Sequence, residues 1–502
     1  MNPVYATSEI RAIESLSGDA DPPLMARAGL AAAEAIRDHH ADGMRDILVV
    51  AGPGNNGGDA LEVAVHLKRW FYRVTVVLAG DRSPPPDAAA ALSKWTGAGG
   101  EVLDMIPAGG RWQLVVDGLF GIGLQRPVTG RYAALIARIN ALGAPVAALD
   151  VPSGINADSG AVMGVAVRAA RTITFIALKP GLLTLDGPDH CGALTLATLG
   201  LDAAGLRPAR GWTLDAAILD QVLKPRPANF HKGRAGSVGI LGGATGMVGA
   251  ALLAGRAALK SGAGRVHVGL LAERAPDVDA MQPELMLRSA AAVLELMVES
   301  SEAAARVPSK GAVLLAGPGM GRADAAKRVL ARAIKSGALL VLDADALNLV
   351  AGNRHLANAV ARRAAATLIT PHPAEAGRLL GIGTTEVQSD RVGAAVDLAK
   401  RFNADTVLKG NGSIVAAPDG RYWINSSGNP GMASAGMGDA LGGIASGLVA
   451  QGIEPINALL AAVYLHGAAA DWLAGQRVGP IGLAAGELID AARLLLNRHA
   501  VI

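Results

Sequence analysis

Two glycine-rich turns and a small set of acidic side chains hold most of the chemistry this chain could do. The segment VVAGPGNNGGDALEVA (49–64) runs from an apolar stretch through Gly52, Gly54, Gly57 and Gly58 into a helical pattern. Backbone N–H groups in such a turn, with the positive end of the next helix, suit a phosphate. Glycine also closes tight turns that bind nothing, so the turn alone decides little. Its companions add weight: Asp117 ends QLVVD, Asp150 ends AALD, and Ser153 follows in VPSGIN. If those runs are parallel strands, Asn56, Asp117, Asp150 and Ser153 emerge at one carboxyl edge, where open α/β sheets bind ligands. Amide, carboxylate and hydroxyl oxygens form a hard donor set, fit for a simple cation and not for zinc or copper. Either Asp could instead cap a helix or loop.

The second cluster centres on SSGNPGMASAGMGDALGGIASGLVA (426–450). Gly436, Met437, Gly438 and Asp439 lead straight into an apolar helical pattern, which predicts backbone donors facing an anion. Asp439 falls in the first turn, where the helix dipole favours a carboxylate. Beside bound phosphates it could take a proton from a substrate hydroxyl; an ordinary capping Asp is the alternative. VLKGNGS (407–413) supplies a cation, Lys409, and exposed backbone. His372 sits in TPHPAE (370–375), a proline-braced loop after an apolar run; a lone His is often just a hydrogen-bonded structural residue.

These residues need strands and helices to position them. DILVVAG (46–52), YRVTVVLAG (72–80), QLVVDG (113–118), APVAALDVPSG (144–154) and RTITFIALK (171–179) read as strands, alternating with Ala-rich helical stretches. Continuous apolar runs suit a parallel sheet buried on both faces, and the alternation predicts a doubly wound α/β domain. A second series follows: SVGILGG (237–243), GRVHVGL (264–270), AVLLAGPGMG (312–321), ALLVLDADAL (338–347), TLITPHPAE (367–375) and DTVLKGNGS (405–413), with a helical C-terminal region from Asp439. Pro, Gly and basic residues between them place a linker around 205–225. The expected domains are 1–212 and 213–502.

The composition narrows the classes. The chain has 502 residues, 51% of them apolar and 18% charged, enough apolar side chain to exclude wholesale disorder. The net charge is +3 with no block of five like charges, so no nucleic-acid partner is expected. A single cysteine, Cys191, predicts a reducing cytoplasm. The N-terminus lacks the look of a signal peptide. No run reaches the ~18 uninterrupted apolar residues of a membrane span; Ala458–Ala470, broken by His466 and Gly467, reads as a buried helix.

GPGNNGGD, VDGLFGIGL and LDVPSGIN together resemble the NAD(P)HX epimerase domain, over roughly residues 5–205. The resemblance implies a Rossmann-like fold and a potassium site at Asn56, Asp117 and Ser153. It implies substrate contacts through Asn55, Asn56, Gly57, Gly58 and Asp59, along Gly121, Ile122, Gly123, Leu124, Gln125, Arg126 and Pro127, and at Asp150. Asp150 would be the acid/base group for inversion at the hydrated carbon of the nicotinamide ring. Ala60 stands where that motif often has Gly.

HKGRAGSVGILGG (231–243), GAALLAGRAALKSGAGRV (249–266), GPGMG, DADALN (343–348), TPHPAEAGRLL (370–380) and GNPGMASAGMGD are similar to the ADP-dependent NAD(P)HX dehydratases of the ribokinase-like superfamily, over about 225–498. Ala374 departs from the more usual PHPGE. The resemblance implies that Lys409, Gly410, Asn411, Gly412, Ser413 and Gly438 hold ADP, while Gly317, Gly319, His372 and Asp439 face the hydrated nicotinamide. Asp439 would activate the ring hydroxyl of the (S)-epimer for phosphorylation, and elimination would return NAD(P)H, AMP and phosphate. Magnesium is expected where phosphoryl groups move. Assembly into a homo-oligomer is also expected, with no membrane partner. Hydration creates a stereocentre, so an epimerase fused to a dehydratase that takes one epimer would leave none stranded. Two rivals stand beside this reading: a small-molecule kinase acting on a vitamin-precursor alcohol, which the GMGD turn fits equally well, and a non-catalytic binding scaffold for the N-terminal domain.

Overall fold

In the run Asp46–Ala51 the residues alternate between two cores, as a strand with period two requires. Ile47, Val49 and Ala51 pack with Ala28, Ala32, Leu61 and Trp95 on one face, and Leu48 and Val50 pack with Ile136 and Ile139 on the other. Both faces are therefore covered, and the strand has no wet side. The computed structural model describes residues 1–18, 21–39, 43–80, 84–304 and 312–500. It divides into two units, Asn2–Gly211 and Trp212–Ile502, the latter with Met1.

Among the described residues the sheet of the first unit has seven strands: β1 (Asp46–Ala51), β2 (Arg73–Leu78), β3 (Val102–Leu103), β4 (Leu114–Gly118), β5 (Val146–Leu149), β6 (Arg171–Phe175) and β7 (Ala193–Ala197). Their order is β3-β2-β1-β4-β5-β6-β7, parallel throughout. The order reverses between β1 and β4, so a crevice opens at their carboxyl ends. Asn56 follows β1, Asp117 lies in β4 and Asp150 follows β5.

In the second unit, β8 (Ser237–Gly242), β9 (Arg265–Leu270), β10 (Met286–Ser289), β11 (Val313–Ala316), β12 (Leu339–Leu342), β13 (Thr367–Ile369) and β14 (Asp405–Leu408) pair in parallel. β15 (Ser413–Ala416) and β16 (Tyr422–Asn425) continue antiparallel from β14. The order over this stretch is β16-β15-β14-β13-β12-β11-β8-β9-β10. The helix Met437–Ala450 lies against Val248–Lys260 at glycine contact distance: a Cβ on Gly443 would meet Ala254 O at 2.3 Å, and one on Gly447 would meet Ala258 O at 2.5 Å. Small residues in GGIASG let the two backbones approach, and this fixes where the helix begins.

Several expectations need correction. The stretch read as a linker, 205–225, carries the strand Gly211–Leu214 and the helix Ala217–Val222, because Leu214, Ile218, Leu219 and Val222 bury their side chains. RTITFIALK is strand only to Phe175; the chain then leaves the sheet, and Ile176 adopts φ +67°. The C-terminal helical region starts at Met437, two residues before Asp439, since Gly436 takes the left-handed conformation that begins it. Strands β3, β7, β10, β15 and β16 were not foreseen. Pro455–Gly475 forms one 21-residue helix, long and apolar enough to cross a membrane, with 67% of its apolar window buried inside the fold.

Candidate active sites

In the first unit the turn after β1 leads into the helix Asn55–Arg69. Gly57 has no room for a side chain, since a Cβ there would lie 2.0 Å from Gly52 O. Asn56 is buried, and neither its amide oxygen nor its nitrogen has a hydrogen-bond partner among the described residues. A buried orphan amide is costly, so its place at a sheet edge points to a ligand. Asp117 is fully buried and built into the next loop: Oδ1 accepts from Ser153 Oγ (2.7 Å) and Leu119 N (3.2 Å), and Oδ2 accepts from Ser153 N (2.8 Å). Ser153 Oγ in turn accepts from Phe120 N at 2.8 Å. Burial pushes the Asp117 carboxyl up, against these hydrogen bonds.

Gly121 brings the remaining groups together. A Cβ there would lie 3.0 Å from Asp150 Oδ2 and 3.3 Å from Asn56 Oδ1. Asp150 is buried with φ +64°, a strained conformation for a non-glycine residue and of the kind that gathers at functional sites. Its Oδ2 accepts from Ile122 N at 3.2 Å, which ties it to the loop 121–127. Asn55, Gly123, Gln125, Arg126 and Pro127 are exposed, and Ile122, Leu124 and Asp59 half-buried. Burial, with the neighbouring charges of Asp150 and Glu14, holds the Asp59 carboxyl well above the usual range. Thus Asn56, Gly121, Ile122 and Asp150 converge, with Asp117 and Ser153 forming one bonded pair in the same loop system.

Lys179 was missed. It is fully buried, and its Nζ lies 2.5 Å from Asp150 Oδ1. The sequence signal was a lone cation closing the apolar run RTITFIALK.

In the second unit three side chains leave the carboxyl ends of adjacent strands: Asp343 after β12, His372 after β13 and Lys409 after β14. Lys409 Nζ donates to Asp343 Oδ1 at 2.8 Å, and Lys409 N donates to Pro371 O at 2.9 Å. Burial opposes the Lys409 charge, but Asp343 and Glu375 outweigh it and raise its pKa. Gly438 meets this pair: a Cβ there would be 3.3 Å from Lys409 Nζ and 3.5 Å from Asp343 Oδ2. Asp439 follows in the first turn of Met437–Ala450, and burial, helped by Asp343 and Asp345 and opposed by Lys409, pushes its carboxyl up to about 7. A carboxyl of that pKa is suited to general base work near neutrality.

Gly317 also has to be glycine: φ is +131°, and a Cβ would fall 1.8 Å from Asp343 O. Gly319 (φ +54°) packs against Met247 O, and Gly321 N donates to Asp345 Oδ2 at 2.9 Å. Under the loop 410–413 lies Arg391, buried, its guanidinium donating to Gly412 O (3.3 Å), Lys409 O (3.4 Å) and Gln388 Oε1 (2.7 Å). Ser413 Oγ closes the turn on Gly410 O at 2.9 Å, and Asn411 is exposed. His372 has a structural role, since its Nδ1 accepts from Ala374 N (3.1 Å) and so caps the helix Pro373–Leu380, and His372 N donates to Glu375 Oε2 (2.9 Å). Burial, then Lys409 and Arg378, lower its pKa. Its ring remains about half exposed beside Lys409. Asp343 was not singled out from the sequence, although ALLVLD ends as VVD and AALD do.

The first sheet is Rossmann-like and the second domain ribokinase-like, so the chain is a fusion of two α/β modules with polar clusters at the carboxyl edges of their sheets. Residues 22–181 match the family described as YjeF-related protein N-terminus, and residues 238–493 match NAD(P)H-hydrate dehydratase. The bifunctional NAD(P)H-hydrate repair enzyme Nnr of Coxiella burnetii is 40% identical over 509 residues, covering 99% of this chain and 100% of that protein. Nnr of Escherichia coli is 40% identical over 94% of this chain and 89% of its own length, and Nnr of Moorella thermoacetica is 36% identical over 93% and 91%. The chain belongs to the family of bifunctional NAD(P)H-hydrate repair enzymes.

Proposed function

We propose that the first domain interconverts the (R)- and (S)-epimers of hydrated NADH and NADPH, and that the second dehydrates the (S)-epimer with ADP as phosphoryl donor. The observation that carries the reading is Asp439 in the first turn of its helix, with Lys409 and Asp343 gathered against the adjoining Gly438. Met437 and Gly438 open the helix, so their N–H groups lack intrahelical partners and suit an anion. Asp439 takes the proton of the ring hydroxyl as that oxygen attacks the terminal phosphorus of ADP; AMP leaves. The carbon–oxygen bond then breaks, phosphate departs, and loss of the neighbouring ring proton restores the double bond. Lys409 and the loop 410–413 hold the nucleotide, while Gly317, Gly319 and His372 border the nicotinamide.

In the first domain Asp150 serves as acid/base group at the hydrated ring carbon. The turn 55–59 and the loop 121–127 carry the dinucleotide. The residues fit a potassium ion: Asn56 offers an unpartnered buried amide oxygen, and Asp117 and Ser153 complete a hard oxygen set. Potassium would supply fixed positive charge beside the bound pyrophosphate. Magnesium would accompany the ADP phosphates, with Asp343 and Asp345 as the acidic side chains whose charges reach Asp439.

The test is incubation with epimer-resolved hydrated NADH and ADP, following the returning dihydronicotinamide absorbance together with AMP and phosphate. Recovery of both epimers is expected; phosphorylated product without restored absorbance would defeat the reading in favour of a simple kinase. Replacing potassium by lithium should depress epimerisation alone, and Asn56→Ala should raise the half-activating potassium concentration at least ~10-fold; unchanged potassium dependence would remove the site.

The pH profile follows from Asp439. Its carboxylate is the working form, and it loses that form as pH falls through about 7. kcat/KM for dehydration should therefore rise through neutrality and level off above, with roughly one-tenth of the plateau one unit below the pKa. A profile flat between pH 5.5 and 8 would show that Asp439 is not the titrating base.

A further inference from the structure

We infer that Lys179 is the positioning residue of the epimerase site, holding one oxygen of Asp150 so that the other alone faces the substrate; this rests on the role proposed above for Asp150. The ammonium has three protons, and the structure gives each an acceptor: Asp150 Oδ1 at 2.5 Å, Thr174 Oγ1 at 2.8 Å and Phe175 O at 2.8 Å. All three capacities are used. Lys179 therefore has no proton left to offer a ligand and no open side from which to bind phosphate, and it is 0% exposed. Its effect reaches the substrate only through Asp150.

The arrangement is built from three neighbouring pieces of chain. Thr174 and Phe175 end β6, so two of the acceptors are fixed by the sheet. Lys179 precedes the short turn Pro180–Leu182, which Gly181 N anchors to Ala157 O at 2.7 Å. Asp150 N donates to Ile173 O at 2.7 Å, which holds the strained residue on the same strand. Asp150 Oδ2, by contrast, accepts one long bond from Ile122 N (3.2 Å) and lies 3.0 Å from where a Gly121 Cβ would stand. Oδ2 is therefore the oxygen turned toward Gly121 and Asn56 and away from Lys179. Other charges around the pair come from the helix Thr7–Leu16, through Glu14 and Arg11, and from Asp59 on Asn55–Arg69. Burial and the charge of Asp150 push the Glu14 and Asp59 carboxyls up, so a second negative charge is disfavoured in this pocket, and Lys179 is the buried cation set against the charge of Asp150. A freely rotating Asp150 would present either oxygen and turn its charge toward these neighbours.

The experiment is steady-state epimerisation by the full-length chain, with Asp150→Asn, Lys179→Met, Lys179→Arg and Thr174→Val measured side by side. Dehydration of (S)-hydrate by the same samples serves as the control for intact protein. Lys179→Met should lower epimerisation kcat at least ~30-fold while KM for the hydrated dinucleotide moves less than ~3-fold, and Lys179→Arg should recover part of the loss. Thr174→Val, which keeps the charge and removes one anchor, should lower kcat by a few-fold. Full activity in Lys179→Met overturns the inference, as does a loss confined to KM. If Lys179→Met loses the melting transition of the first domain, Thr174→Val decides, and unchanged kcat there overturns the inference. Full activity in Asp150→Asn would instead sink the underlying reading of the site.

Discussion

Asp439→Asn should yield a chain that still interconverts the two epimers of hydrated NADH but no longer dehydrates either. The substitution keeps the side chain's size and first-turn position and removes only the basic oxygen. A positioned general base contributes on the order of 10²- to 10⁴-fold, and here it works on a ring hydroxyl that must become a phosphorus nucleophile. The loss should appear in kcat and kcat/KM together, because the proton moves only as the new bond forms. Affinity for ADP should change little, since Lys409, the loop 410–413 and the helix N–H groups remain. Epimerisation should be untouched, because the two sites lie in separate units. ADP-dependent turnover within about twofold of the parent would exclude Asp439 as the base.

Asp150→Ala should give the complementary phenotype. Interconversion of the epimers should fall by about 10²-fold or more, while the (S)-epimer continues to be repaired at the parental rate. With an equimolar mixture of the two epimers the reaction should then stall near half conversion, and adding a separate epimerase should release the remainder. The measurement is the progress curve to completion, not the initial rate. The substitution also leaves Lys179 as a buried cation without its partner, so a lower melting temperature of the first domain is expected beside the loss of activity. A curve that runs smoothly to full conversion would show that Asp150 does not drive inversion.

Much of both sites could be read from the sequence, for a physical reason. Apolar runs that end in a carboxylate, VVD and AALD, suit strands buried on both faces that release the acid at the edge, and Asp117 and Asp150 do lie at the carboxyl ends of β4 and β5. Asn56 and Asp439 were placed in the first turns of their helices because a glycine-rich turn ahead of a helical pattern supplies the unusual backbone angles a helix start can need, as Gly436 does. Lys179 was not, because a lysine after an apolar run reads as the return to solvent; only the fold shows Thr174, Phe175 and Asp150 surrounding it. Arg391 escaped for the same reason, as one charge at the start of an ordinary helix. The strands β15 and β16 lie close after β14, and their antiparallel pairing is set by the turns between them, not by their composition. The expected linker contains the boundary between the two units, but it also carries structure: Leu214 closes a strand, and Ile218, Leu219 and Val222 follow a helical spacing that the neighbouring Pro and Arg residues obscured.

The guanidinium of Arg391 beneath the loop 410–413 bears on how tightly nucleotide is held. Carbonyls of Lys409 and Gly412 are already fastened from below, and burial lowers the Arg391 pKa to about 10. A loop shaped before its guest arrives has little freedom left to surrender on contact. ADP uptake should then release heat without a large opposing loss of chain entropy, whereas a chain carrying Met at this position would have to order the loop anew at each encounter, and calorimetry would register the difference as entropy.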